Sequence, residues 1–389
     1  MATIIDFLNR NKDVPFSKMP LTDADILCLN EIGYITFGEV LAGDFDLSKE
    51  LALHDVLLRY EEQGQEIPYD FLLTKDRVDL IKLMISSKRF EGLCLSNYVN
   101  EIDEALEKQF AAMVFRLPEI NHTQIVFRGT DDSMVGWKED FKLTYMREIP
   151  AHRSAIAYLK NYLSTHEGQV VVSGHSKGGN LAVYATSHLP LEFQEKITCV
   201  YMLDAPGLQT SVLKSQSYQA IRSRIKGIRP EESIVGVMLE IDVPQEIVAS
   251  NSFGVFQHAA TNWQVDELTG NYVLAEKPTE LSLNLQQTFK QWTDELSSQE
   301  LKLLFDTLFD TLIGSGITSL NDVSGLNLNS ASKFLNAIGN FRSVDDRKKN
   351  LMSKSIRLLF DTFTGHFKFK RLETPKISLT DLKSRLDKK

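Results

Sequence analysis

Only three cysteines occur in 389 residues, Cys28, Cys94 and Cys199. They are odd in number and far apart, so they form neither a disulfide framework nor a metal-ligand spacing. A reducing, cytoplasmic setting is the expectation, with no metal and no organic cofactor. Glycine (21) and proline (11) are too scarce for a collagen-like or flexible linker protein. No apolar run approaches the ~20 residues that span a bilayer. The opening MATIIDFLNRNKDVPF lacks a basic stretch followed by an apolar one, so no secretory signal is read. There is no internal repeat and no long linker. What remains is a chain with 43% hydrophobic and 24% charged residues, the composition of a folded protein long enough to bury a large core.

Charge is unevenly placed. Of 43 basic and 52 acidic residues, 14 and 6 respectively lie in 341–389, a net +8 there, so the other 340 residues carry −17. An acidic body disfavours nucleic acid, whose binding depends on neutralising phosphates, and no nucleic-acid partner is expected. The segment Ser355–Arg371 interleaves aromatics with cations. It reads as a helix docked by its apolar face on the acidic body, or as a segment making weak contact with an anionic membrane surface. Oligomeric state is not legible.

Hydrophobic periodicity divides the chain into three parts. Residues 1–90 read as a helical N-terminal region, with three-to-four spacing over Asp23–Ile35, Leu51–Glu62 and Val78–Ile85. Over 91–275, short apolar or alternating runs predict strands at Leu93–Tyr98, Ala111–Leu117, Gln124–Phe127, Val170–Ser173, Thr198–Leu203, Ile234–Leu239 and Glu246–Ala249. Helical patterns at His152–Leu163 and Gly179–His188 lie between them. Alternating strands and helices predict an α/β fold, a mainly parallel sheet with helices on both faces. Residues 276–389 read as a helical C-terminal region with a basic tail, with helices predicted at Leu281–Leu296, Ser298–Ile313, Ala331–Ile338 and Asp346–Phe363.

The sharpest local signal is Gly174-His175-Ser176-Lys177-Gly178, placed between an apolar run and an amphipathic helix. A serine on a strand-to-helix turn needs glycine two residues either side, where a Cβ would collide. Such a turn raises the Ser176 hydroxyl above the sheet and aims the Lys177 backbone N–H at a developing oxyanion. The competing reading is a glycine-rich turn that only packs or binds phosphate. A serine hydroxyl needs a base. Downstream, His258 is the histidine in a strand-to-loop position, whereas His188 ends the elbow helix and His366 lies in the basic tail. The carboxylate orienting it must come from Asp204, Glu231, Glu232, Glu240 or Asp242; Glu232 is favoured, with Asp204 second. A second oxyanion amide is expected at Thr130, where Arg128-Gly129-Thr130 ends an apolar strand.

Several blocks then match one known group. Ile125-Val-Phe-Arg-Gly-Thr130 with Trp137 and Asp140, Val171-Val-Ser-Gly-His-Ser176-Lys-Gly-Gly-Asn-Leu-Ala, Met202-Leu-Asp-Ala-Pro-Gly207, Glu232-Ser-Ile-Val235 and His258 together resemble the class 3 lipases of the α/β-hydrolase superfamily. The chain resembles more closely an uncharacterised bacterial branch of that group, domain of unknown function 2974, whose members share an SGHSKGGNLA elbow. The resemblance implies an α/β-hydrolase core with helical extensions and a triad of Ser176, His258 and Glu232 (or Asp204). It also implies oxyanion amides at Thr130 and Lys177, and a small-molecule or lipid-like ester substrate. Lys177 stands where the family has leucine; its stem is expected to lie on apolar surface with its ammonium in water. By analogy Asp131–Tyr145 would be a lid. The expected activity is an esterase or lipase reaction through an acyl-enzyme. Two alternatives are a thioesterase or peptidase with the same triad, and a non-catalytic binding or scaffolding protein that retains the fold.

Overall fold

The computed structural model describes residues 1–37, 49–62, 74–103, 105–131 and 134–317, with a few positions between 346 and 353. The basic segment Ser355–Arg371, His366 and the helix predicted at Ala331–Ile338 lie outside the described residues; of the helix predicted at Asp346–Phe363 only 346, 348–350 and 353 are described, and these are helical.

The described strands form one eight-stranded sheet in sequence order, β1 (Leu51–Ala52), β2 (Cys94–Asp103), β3 (Lys108–Leu117), β4 (His122–Phe127), β5 (Val170–His175), β6 (Ile197–Leu203), β7 (Ile225–Pro230) and β8 (Gln245–Val248). The pairs from β1 to β4 are antiparallel and those from β4 to β8 are parallel. The parallel half follows from its connections, since a parallel return needs a crossover long enough to hold a helix. Here β4 is followed by helices α5 (Met134–Lys142) and α6 (Pro150–Thr165), and β5 by α7 (Lys177–Ser187).

Before the sheet come α1 (Ile4–Asn11), α2 (Asp23–Ile32), α3 (Leu53–Glu62) and α4 (Thr74–Ile85); after it come α8 (Glu280–Glu295) and α9 (Ser298–Ile313). Thr22 starts α2 by accepting from the Asp25 N–H while Asp25 accepts back from the Thr22 N–H, and Ser297 does the same for α9 through Glu300.

Three apolar clusters hold these layers. One packs Phe7, Leu27, Leu29 and Ile32 of the N-terminal helices against Val126, Leu203, Ile228 and Trp263. The N-terminal helices therefore share a core with the sheet. A second fills the other face with α6 and α7 residues such as Ala155, Leu159, Leu181 and Ala185. A third joins Met134, Trp137 and Phe141 of α5 to Leu301, Phe305 and Phe309 of α9.

One strand expectation fails, and one interior strand was not expected. Ile234–Leu239 is not a strand; Val235–Val237 forms a 3-10 turn. The missing strand is β7, Ile-Lys-Gly-Ile-Arg-Pro, in which a glycine, two cations and a proline break the apolar signature. It pairs with β6 and β8, and its Arg229 is buried. None of the described helices is long and apolar enough to cross a membrane.

Candidate active site

Ser176 sits at the end of β5 with φ 57° and ψ −133°, at the N-cap of α7. A β-carbon on Gly174 would lie 2.1 Å from the Gly178 carbonyl carbon, and one on Gly178 would lie 2.1 Å from Phe127 O. Backbone blocks both positions, so glycine is required for the bend. The Ser176 N–H donates to Leu203 O at 2.9 Å, tying the bend to the end of β6. The α7 N-terminus adds partial positive charge beside the hydroxyl.

His258 ends a 3-10 turn, Gly254–His258. Its Nδ1–H donates to Asp204 Oδ2 at 2.6 Å. The Asp204 side chain is fully buried, while the imidazole keeps 12% exposure. Asp204 is the first residue past β6 and has φ 37°. Its other oxygen, Oδ1, accepts from the Ser233 hydroxyl and from the Gly236 N–H at 3.1 Å. Both oxygens are thus engaged and the carboxylate cannot rotate freely.

Glu232, the favoured acid, lies elsewhere. Its Oε2 accepts from the Gly254 N–H at 2.9 Å, and its own N–H donates to Gln257 Oε1 at 2.9 Å. It braces the loop that carries His258 and does not engage the imidazole. The carboxylate on the imidazole is that of Asp204 and not of Glu232, for a register reason. His175 pairs with Leu203 across β5 and β6, so the residue after Leu203 emerges beside the elbow.

His175, between Gly174 and the serine, is buried and holds the histidine loop from below. Its Nε2–H donates to the His258 carbonyl at 2.8 Å, so Nδ1 is the acceptor for the Tyr34 hydroxyl at 2.8 Å. Burial pushes its pKa well below the usual histidine value, with the neighbouring His258 adding to the effect. The two rings lie 4.5 Å apart between centroids, which sets the His258 imidazole beside the elbow. His188 ends α7, bonding the Tyr184 carbonyl through Nδ1 at 2.7 Å.

The Arg128–Thr130 turn passes close over the serine. A β-carbon on Gly129 would lie 3.0 Å from Ser176 Cβ and 2.6 Å from His175 O. Among the described residues no acceptor takes the backbone N–H of Thr130 or of Lys177. The Thr130 hydroxyl donates to Asp140 Oδ2 at 2.6 Å. Asp140 is raised to about 6, chiefly by burial, against the lowering influence of Lys177 and of the Thr130 hydrogen bond.

The expectation for the Lys177 ammonium in water is overturned. The side chain is 1% exposed, and Nζ donates to Glu139 Oε2 at 3.0 Å and to Gln109 O at 3.1 Å. The resemblance to leucine-bearing elbows gave no partner for this charge; α5 brings Glu139 to it. Asp140 Oδ1 lies 3.7 Å from the same ammonium. On the loop that leads to His258, Phe253 is 74% exposed and packs edge-on against Phe256.

A model of the Mbeg1-like family matches residues 84–310. Among solved structures the chain is similar to M37 lipase at 15% identity and a TM-score of 0.34, over 55% of this chain and 68% of that one. It is also similar to a deletion variant of Rhizomucor miehei lipase in its propeptide complex, at 17% identity and a TM-score of 0.31, over 44% and 58%. No curated protein matches. The sheet of this chain is mostly parallel with a serine bend after β5, the arrangement of an α/β-hydrolase fold, and with more than half of its length matched, the chain belongs to the Mbeg1-like family.

Proposed function

We propose that the protein is a serine hydrolase acting on carboxylic esters, with Ser176 as nucleophile, His258 as base and Asp204 as the orienting acid. The observation that carries the reading is the 2.6 Å bond from His258 Nδ1 to the buried Asp204 carboxylate, which directly follows the Leu203 carbonyl that takes the N–H of Ser176 on its strained bend. That bond leaves Nε2 as the basic nitrogen, the tautomer that accepts a serine proton.

In this reading Ser176 Oγ attacks the ester carbonyl as His258 takes its proton. The Thr130 and Lys177 amides receive the oxyanion. His258 returns the proton to the leaving alcohol. Water, deprotonated by the same imidazole, then releases the acid and restores Ser176. Asp204 stabilises the imidazolium through its bond to Nδ1.

The test is labelling with a fluorophosphonate probe, followed by a panel of ester, thioester and amide substrates. Wild type is expected to label and Ser176→Ala to lose both labelling and turnover, the latter by about 10³- to 10⁶-fold. Persistent labelling in the variant rejects Ser176. Preference for a thioester or amide moves the substrate class while keeping the nucleophile.

A further inference from the structure

The buried ion pair beneath the serine has no role in proton transfer, yet it joins the two halves of the oxyanion site. Lys177 supplies one amide through its backbone, and its side chain reaches Glu139 on α5. The next residue of α5, Asp140, holds the hydroxyl of Thr130, which supplies the other amide. Glu139 is itself engaged on both oxygens. Oε1 accepts from the Ala151 N–H at 3.0 Å and Oε2 from the Gln109 N–H at 2.9 Å, besides Lys177. One fully buried carboxylate therefore ties β3, α5, α6 and α7 together.

The outer side of α5 is fastened as well. Phe141 packs on Phe305 and Phe309 of α9, with ring centroids 4.5 and 5.6 Å apart. Lys138 bonds Asp310 of α9 at 2.8 Å and Glu107 of the β2–β3 turn at 2.5 Å, and Lys142 reaches Glu107 at 2.7 Å. Lifting α5 away would open this apolar seam and leave the Lys177 ammonium inside the protein without its counter-charge, which burial makes costly. The lid expected over Asp131–Tyr145 is thus, over α5, a wall; Asp132 and Ser133 lie outside the described residues.

We propose that Lys177 and Glu139 are positioning residues that keep the oxyanion site assembled before substrate arrives, and that the site therefore takes esters dissolved as single molecules. The inference rests on the serine hydrolase reading above. A mobile cover would make the rate climb when substrate meets a lipid surface; a fixed wall gives the same rate with or without one.

The experiment uses the full chain with p-nitrophenyl butyrate and an alkyl fluorophosphonate, each with and without phosphatidylcholine vesicles. Wild type is expected to show hyperbolic kinetics and a labelling rate that vesicles change by less than about twofold. The double variant Lys177→Met/Glu139→Gln removes the Lys177–Glu139 pair together, and Asp140, 3.7 Å from the ammonium, loses its nearby cation as well. It is expected to melt below wild type, because the new amide's NH₂ must face the Ala151 or the Gln109 N–H, yet to be folded at the assay temperature, where kcat falls about 10- to 100-fold and KM stays within about threefold, the signature of lost transition-state alignment. A role confined to stability would leave kcat unchanged in the folded variant, and that result overturns the proposal. So does a rise of about tenfold or more in the wild-type rate on adding vesicles, a measurement that needs no variant. Folded wild type that neither labels nor turns over rejects the hydrolase reading itself, whereas vesicle-dependent labelling rejects only the fixed wall.

Discussion

Asp204→Asn is the most demanding perturbation of the site, because the structure dictates which way the new amide must face. Asp204 Oδ1 accepts from the Gly236 N–H, a donor that cannot reverse its polarity, and from the Ser233 hydroxyl. The asparagine oxygen must therefore stay on that side. Its NH₂ is forced toward His258 Nδ1, where the carboxylate Oδ2 now sits at 2.6 Å. A donor facing Nδ1 makes that nitrogen the acceptor and moves the ring proton to Nε2. The imidazole then presents a proton to Ser176 and cannot take one. The same exchange in a well-studied serine protease triad costs about 10⁴ in kcat, or about 5.5 kcal/mol of barrier. Steady-state hydrolysis of a chromogenic ester measures kcat and KM, with thermal melting to show that the isosteric variant folds. Glu232→Gln is the control. Its amide oxygen can still accept from Gly254, and activity within about threefold of wild type is expected. If Asp204→Asn keeps more than a tenth of the wild-type kcat while Glu232→Gln collapses, the assignment of the acid is wrong.

Other outcomes follow from the same geometry. Gly178→Ala puts a β-carbon 2.1 Å from Phe127 O, so urea unfolding should show a loss of about 3 kcal/mol or more together with lost labelling of Ser176. Asp140 is raised from 3.8 to about 6, so its burial opposes ionisation. Its destabilising contribution is absent below about pH 4, grows as pH rises toward 6, and is complete above that. Asp140→Asn should therefore be the more stable protein at pH 7.5, by up to about 3 kcal/mol, with the gap closing by pH 4 in denaturant titrations. A gap that widens on acidification would contradict the assignment. Phe253→Ala removes an exposed ring from the loop that leads to His258 and should raise KM for longer acyl chains while kcat for an acetate ester stays unchanged.

Local chemistry was legible in the chain. The elbow motif is local in sequence: Gly174 is required by the Gly178 backbone four residues on, whereas Gly178 is required by the Phe127 carbonyl at the end of β4. The strands β3 to β6 and the helices α6 and α7 announced themselves by apolar periodicity, since each buries a face of its own, whereas α5 did not. β7 did not, because as an interior strand flanked on both sides it tolerates Gly227, Arg229 and Pro230, and its neighbours supply the stability that its composition lacks.

Partnerships across the chain needed the tertiary structure. Sequence order admitted both Asp204 and Glu232 as the acid, and only the parallel register of β5 with β6 places the residue after Leu203 beside the serine. A lysine next to a nucleophile reads as a surface charge until a helix that follows another strand brings Glu139 to it. His175 likewise looked like part of a local turn, and its work of holding the His258 carbonyl depends on a tyrosine 141 positions earlier. The amino-acid order by itself determined the bend and the layers, because sterics and hydrophobic period act over a few residues. Packing alone decided which carboxylate meets which cation or imidazole, because that pairing depends on distances between segments that periodicity does not encode.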